Sequence, residues 1–253
     1  MTNETRYRAP ALQKGLSILE TLAHADAPMT MSDISTALQR SRNEIFRMLQ
    51  VLEDMRYIAR DDSGGYSLTN RLFALSMRQP PMRDLLSLAY PAMTALADEA
   101  GQSCHLAVAS GAEMVVVARV EAPGLLGFAV RVGYRRPLHR SASGLTLLAF
   151  EPIARQEQML DEIELLGGDI DRAALKRELA DTAALGFVAR DSTMIHGIRD
   201  ISAPILAAGE ARAALTIPYV SGAGAKTDAD RTTTLVRAAA ENISAALDGT
   251  RME

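Results

Sequence analysis

The stretch Ser41–Leu52, SRNEIFRMLQVL, constrains what this chain can fold into more than any other. At about 100° per residue, Ile45, Met48, Leu49 and Leu52 fall on one side of a helix, and Asn43, Phe46, Arg47 and Gln50 fall opposite them. Ser41 and Glu44 have the S-x-x-E spacing of a capping box, which marks where the helix starts. One face needs a core beneath it. The other carries amide, guanidinium and aromatic groups that suit base edges in a DNA groove. An ordinary surface helix can show the same pattern, so the neighbouring segments have to decide.

Upstream, a polar arm over residues 1–9 leads into Leu12, Leu16, Leu19 and Ala23, which mark an amphipathic helix widened by Ile18 and Leu22. Thr30 or Ser32 can cap a short second helix running to Leu38, with Asp33 in its first turn. Two short helices on a tight connection make a helix-turn-helix, whose second helix enters the major groove. Downstream, residues 57–60, 61–65 and 66–68 read as strand, Asp/Gly turn and strand, a hairpin. Helix, helix-turn-helix and hairpin in that order predict a winged helix. A further helical stretch runs from Thr69 to Met77, and Gln79-Pro80-Pro81 is the best linker in the chain.

Beyond it, Leu85, Ala89, Ala92, Leu96 and Ala100 predict a helix that Pro91 kinks or restarts. Strands are expected over 103–109, 113–120 and 126–132, then a basic loop from Arg131 to Arg140 and a helix over 143–150. Helices over 152–164 and 171–185, strands over 187–190, 197–206 and 211–218, and an Ala-rich helix over 228–247 complete the chain. The fold class is therefore α+β: a winged helix-turn-helix over 1–78, a linker helix over 79–101, and a domain with an antiparallel sheet over 102–253.

Composition narrows the function classes. A net charge of −4 argues against a protein that coats nucleic acid, but residues 1–80 carry +1 and the remainder −5, compatible with local DNA contact. The single cysteine, Cys104, cannot form an internal disulfide. No apolar run approaches the roughly 20 residues of a membrane span, and the start of the chain has no signal-peptide pattern, so a cytoplasmic protein is expected. His24, His105, His139, His196 and Cys104 lack metal-ligand spacing, so neither metal nor cofactor is expected. His139, Ser141 and Asp191 can be assembled on paper into a triad, but no G-x-S-x-G context accompanies them.

The chain resembles the IclR family of bacterial transcriptional regulators over nearly its whole length. The resemblance lies in ALQKGLSILETLA, MTMSDISTALQRSRNEIFRMLQVLEDMRYIARD and GGYSLTNRLFALS, then in CHLAVASGAEMVVVARVE, RVGYRRPLHRSASGLTLLAF and GIRDISAPIL. It implies a winged helix, a linker helix and a GAF-like effector-binding domain, in homodimers or homotetramers on palindromic operators near metabolic genes. By position, it implies an effector pocket lined by Leu125, Phe128, Arg136, Ala142, Ser143, Arg190, Asp200 and Thr216. Three departures stand out: Gln39-Arg40 where the family usually has Gly-Leu, Gly144-Leu145-Thr146 for Gly-Lys-Ala, and Asp200 where several relatives have Cys.

The residue chemistry gives each group a role and a rival. Asn43, Phe46, Arg47 and Gln50 are the expected base readers, unless Phe46 packs against the wing. Arg40, Ser41 and Arg42 suit phosphate contacts, and Arg60 suits either phosphate or a local carboxylate such as Asp61. Arg135, Arg136, His139 and Arg140 gather cations near a helix start, which predicts a small organic acid as effector, unless those arginines are solvated or paired at a subunit contact. The expected function is a ligand-responsive regulator, repressor or activator, of a metabolic and catabolic operon, with no enzymatic activity. The alternatives are a metabolite-binding module whose winged helix contacts protein, and a small hydrolase.

Overall fold

Pro10 opens the first helix, α1 (Pro10–Ala23), at a position where its missing N–H costs nothing. The structure, a computed structural model, describes residues 9–78, 80–124, 127–222 and 224–250. The chain divides into two compact units, one ending at Met82 and the other beginning at Arg83.

In the first unit, Thr30 caps α2 (Met31–Ala37): its hydroxyl accepts from the Asp33 amide, and the Asp33 carboxylate accepts from the Thr30 amide at 2.9 Å. The same reciprocal box, Ser41 with Glu44, starts α3 (Arg42–Asp54). Between them Gln39 holds a left-handed φ of 52°, the conformation for which glycine is favoured at such a turn. The side chains of Ile18, Leu22, Ile34, Ile45, Leu49, Ile58 and Tyr66 form one core. Here α1 differs from its predicted stripe, because Leu12 and Leu16 are 63% and 50% exposed while Ile18 and Leu22 are buried. A broad apolar stripe leaves its centre undefined, and the docking of α2 and α3 chooses it. Strands β1 (Ile58–Arg60) and β2 (Tyr66–Leu68) pair as the expected hairpin. Asp61 closes its turn by accepting from the amides of Ser63 and Gly65 at 2.9 and 2.8 Å. A short α4 (Arg71–Ser76) follows.

The next helix, α5 (Pro80–Ala100), starts at the Pro-Pro pair read as linker and runs through Pro91 as one helix, so that of the expected kink or restart there is no restart. Proline is tolerated in a first turn, where amides lack helical acceptors anyway.

The second unit is built on a six-stranded sheet in the order β5-β4-β3-β8-β7-β6, with every adjacent pair antiparallel. Its strands are β3 (Cys104–Ser110), β4 (Glu113–Val120), β5 (Arg135–Pro137), β6 (Val188–Asp191), β7 (Ile198–Ala207) and β8 (Glu210–Val220). The strand expected over 126–132 is a correction: residues 127–132 carry no strand, and residues 125 and 126 lie outside the described residues. The apolar run has the composition of a strand, but the edge of β4 is taken by β5, inside the segment read as a basic loop. Residues that alternate along these strands face opposite ways. One face carries Ile201, Ala203, Ile205, Leu215 and Ile217, all buried, beneath α9 (Ala229–Thr250). The other is covered by α6 (Ala142–Ala149), every residue of which is buried. Outside α6, α7 (Ile153–Leu165) and α8 (Arg172–Leu185) complete the layer.

Gly144 is what lets α6 sit so deep. A Cβ there would come within 2.2 Å of the Leu138 carbonyl oxygen, in the short 3-10 turn Leu138–Arg140 that precedes the helix.

Candidate functional site

On α3 the box at Ser41 fixes the helix start, and the buried Ile45 and Leu49 fix its rotation. Asn43, Phe46, Arg47 and Gln50 consequently stand together on the exposed side. Phe46 is 45% exposed rather than packed against the wing. Among the described residues, neither Arg47 nor the Arg40 side chain has a hydrogen-bond or ionic partner. Arg42 reaches back to donate to the Ser32 hydroxyl at 2.8 Å, which places it over the start of α2. Lys14 bonds Glu44 at 2.9 Å and, with the Ser41 amide and hydroxyl, holds the carboxyl at about 2, so the cap keeps its anionic form. On the wing, Arg60 lies over the Tyr66 ring at 5.5 Å, while Asp61 is consumed by its own turn. The face is thus a row of exposed amide, aromatic and guanidinium side chains flanked by cations, groups of the kinds that contact base edges and phosphates.

In the second unit, a cavity of about 250 Å³ opens between the sheet and the start of α6. Phe128, Arg136, Ala142, Ser143, Asp200 and Thr216 line it together, as the sequence reading had grouped them. Leu125 lies outside the described residues. Arg190 is not part of the lining: its guanidinium donates to Glu178 on α8 at 3.0 Å. It pairs across β6 and β7 with Asp200 and acts on the cavity only as a nearby charge.

The expected cluster of cations resolves into separate fates. Arg135 pairs with Glu113 at 3.0 Å, and Arg140 donates to His139 at 3.2 Å. Burial, and the charges of Arg140 and Arg136, lower the pKa of His139, so it adds no positive charge at neutral pH. Arg136 remains on the cavity, donating to the Thr193 hydroxyl at 2.9 Å. Ser141 caps α6 by accepting from the Gly144 amide at 3.0 Å, while the amides of Ala142 and Ser143, at the first helical positions, have no acceptor within the helix. Guanidinium and free helix amides are groups that can hold an anion. Asp200 stands against them, its carboxyl pKa raised because burial outweighs the lowering by Ser192, Arg190 and Arg136.

Other lining residues escaped the sequence reading. Met114, Val130, Tyr134, Ile195 and Pro218 supply apolar walls, Arg131 a further cation, and His105 part of the floor. For His105, Met114 and Pro218 the only signal is strand alternation, which cannot say which face meets a cavity until the strands are paired; Val130, Arg131, Tyr134 and Ile195 lie outside the strands, where spacing assigns no face. Among the described residues there is no cluster of His, Cys, Asp and Glu able to hold a metal, and no helix long and apolar enough to cross a membrane.

Comparison with known proteins agrees with both halves. Residues 11–62 match the IclR helix-turn-helix domain, and residues 81–245 match the bacterial transcriptional regulator IclR C-terminal domain. The HTH-type transcriptional repressor AllR of Klebsiella pneumoniae is 29% identical over 251 residues, covering 94% of this chain and 90% of that protein. The probable transcriptional regulator SauR of Cupriavidus necator is 26% identical over 201 residues, 78% of this chain and 80% of SauR. An IclR homologue from Microbacterium hydrocarbonoxydans, solved in complex with 4-hydroxybenzoate, superposes with a TM-score of 0.77 at 25% identity, covering 94% of this chain and 99% of that one. These relatives are regulators and not enzymes. With a DNA-binding and a ligand-binding half matched in order, the chain belongs to the IclR family of bacterial transcriptional regulators.

Proposed function

We propose that the protein represses a metabolic, catabolic operon and is controlled by a small organic acid bound in the cavity between α6 and the sheet. The observation that carries this reading is Arg136 beside the Ala142 and Ser143 amides on a cavity of otherwise mostly apolar lining. Such a site favours a carboxylate head and a short apolar body. The volume of about 250 Å³ suits a molecule smaller than a typical drug. The repressor sign rests on AllR, which is named a repressor, and the acid on the homologue bound to 4-hydroxybenzoate. Operator binding would use Asn43, Phe46, Arg47 and Gln50 for bases and Arg40, Ser41, Arg42 and Arg60 for phosphate, with a homodimer or homotetramer on a palindrome. A ligand that binds one conformation better than another shifts the operator-competent population by its difference in affinity, and by no more.

Two measurements test this. Genomic fragments retained by the wild type at physiological salt, and released by Arg47→Ala, are the expected outcome; retention no better than for random DNA defeats the regulatory reading. In a thermal-shift panel, organic acids are expected to raise the melting temperature where neutral sugars and amines do not. A saturating ligand at ~100 times its Kd adds about 2.7 kcal/mol. A panel in which only sugars or amines act removes the acid.

A further inference from the structure

Among the described residues that line the cavity, Asp200 is the one carboxyl, set against the guanidinium groups of Arg131 and Arg136. Strand register places its side chain. Asp200 and Ser202 of β7 lie opposite Pro218 and Thr216 of β8, and directly paired residues share a face of the sheet. Pro218 and Thr216 both line the cavity, and Ser202, on the same face, accepts from Thr146 of α6 at 3.0 Å. Asp200 consequently points from β7 into the cavity, half-buried and open to what the cavity holds.

Its neighbours leave most of its accepting capacity unused. An ionised carboxylate has about four acceptor positions, and among the described residues Ser192 alone hydrogen-bonds this one. The two arginines that act on it as charges direct hydrogen bonds elsewhere, Arg136 to the Thr193 hydroxyl at 2.9 Å and Arg190 to Glu178 at 3.0 Å. The hydroxyls on the floor are spent on one another. Ser143 and Thr216 are 2.9 Å apart, and Thr216 donates to Ser202 at 2.8 Å. His105, buried at the end of that row, lies 3.3 Å from Ser143. Burial raises the pKa of the Asp200 carboxyl, as it does for a carboxylate short of water and of donors. An acid held at Arg136 brings a second negative charge into this small space. Without a donor of its own it only faces a like charge; with one, it supplies the hydrogen bond that burial denies the carboxylate.

We propose that Asp200 determines the specificity of the cavity, its carboxylate accepting a hydrogen bond from the effector, so that the site takes acids bearing a hydroxyl or ammonium donor over the same acids without one. This rests on the organic-acid reading above and narrows it to ligands that carry both an acid group and a donor. Hydrogen bonds to a charged group are stronger than those between neutral groups, which makes the missing donor costly to a plain acid.

The test uses two sets of acids: lactate, alanine and propionate, and 4-hydroxybenzoate, 4-(aminomethyl)benzoate and benzoate. In each set the acid carries a hydroxyl, an ammonium group or neither. All are titrated calorimetrically into the full-length wild type and Asp200→Leu. Wild type is expected to bind a donor-bearing member of at least one set about tenfold or more tighter than the plain member, and the preferred member identifies the donor. Asp200→Leu is expected to bring that preference within about threefold while binding the plain acid at least as tightly, because a like charge is gone. A preference kept in Asp200→Leu overturns the proposal, either because Asp200 only offsets Arg136 or because another lining group such as Tyr134 reads the donor. Equal binding within both sets by wild type, or a preference for the plain acids, overturns it and leaves the acid reading intact. Binding of none of the acids removes this inference together with the acid reading at its source. Should Asp200→Leu fail to fold or lose the plain acid as well, Asp200→Asn, which keeps the shape without the charge, is expected to cut the preference at least about threefold. An unchanged preference in that variant overturns the proposal.

Discussion

At the scale of single residues, Arg136 sets the charge of the cavity and His105 lies buried beneath it. Arg136 is half-buried with a hydroxyl partner, and Arg136→Gln removes a charged donor while Arg190 remains to offset Asp200. Affinity for acids is expected to drop by ~10- to 100-fold in calorimetric titration, with the melting temperature of the ligand-free protein little changed. His105 makes a prediction about pH. Its folded pKa, about 4, lies below its ordinary 6.5 because burial disfavours the charged ring. Between those values the unfolded chain binds more protons than the folded one. The contribution is therefore complete above about pH 6.5 and is lost as the pH falls towards 4. Urea unfolding should show wild type losing roughly 3 kcal/mol more than His105→Phe over that interval. Equal losses in the two proteins would count against a buried neutral imidazole. Arg47, Phe46 and Gln50 were legible from the sequence because a helix period assigns faces by itself. His105 was not, since its neighbours Thr216 and Ser202 come from strands more than a hundred and about a hundred positions away, respectively.

At the scale of elements, α6 and the α2–α3 turn each hang on one backbone position. Gly144 approaches the Leu138 carbonyl so closely that a methyl group has nowhere to go, because the obstacle is backbone rather than a movable side chain. Gly144→Ala is expected to destabilise by about 3 kcal/mol or more and to weaken acid binding, since the displaced helix start carries the Ala142 and Ser143 amides. Retained acid affinity in that variant would argue against the helix start as the anion site. Gln39 presents the opposite case. A non-glycine residue at a φ of 52° pays for its conformation, and a glycine there pays in unfolded-state entropy instead. Gln39→Gly is expected to stabilise by roughly 0.5–1 kcal/mol, read as a higher melting temperature for the winged helix. Gln39 takes at this turn the left-handed conformation that a glycine would adopt without strain. The strand expected over residues 126–132 is not found in 127–132, because the place beside β4 is taken by β5, and the Pro-Pro pair read as a linker lies in the first turn of α5, which tolerates it.

At the scale of the whole molecule, charge is the property that bears on function. The chain carries −4 overall, with residues 1–80 at +1. Long-range attraction to DNA is accordingly weak, and binding must lean on local contacts by α3 and the wing. Operator affinity is expected to fall with salt along a straight log–log line, and Arg40→Ala, at a proposed phosphate contact, to lower that slope by about 1. Arg47→Ala, at a proposed base-reading position, is expected to relax sequence preference more than it changes the slope. Identical slopes for wild type and Arg40→Ala would remove Arg40 from the phosphate contacts.

By itself the sequence determined the winged helix, because capping boxes, a helix period and an Asp/Gly turn are local rules that act within a few residues. It also determined that the second half mixes helices with an antiparallel sheet, because alternation and turn residues are local as well. Tertiary structure decided the rest: which side of α1 is buried, which arginine reaches the cavity, and that His105, Thr216 and Ser202 from three strands join Ser143 and Thr146 of α6 in one buried hydrogen-bonded chain. Those outcomes depend on strand register and helix docking, and register sets the meeting of residues that no spacing along the chain relates.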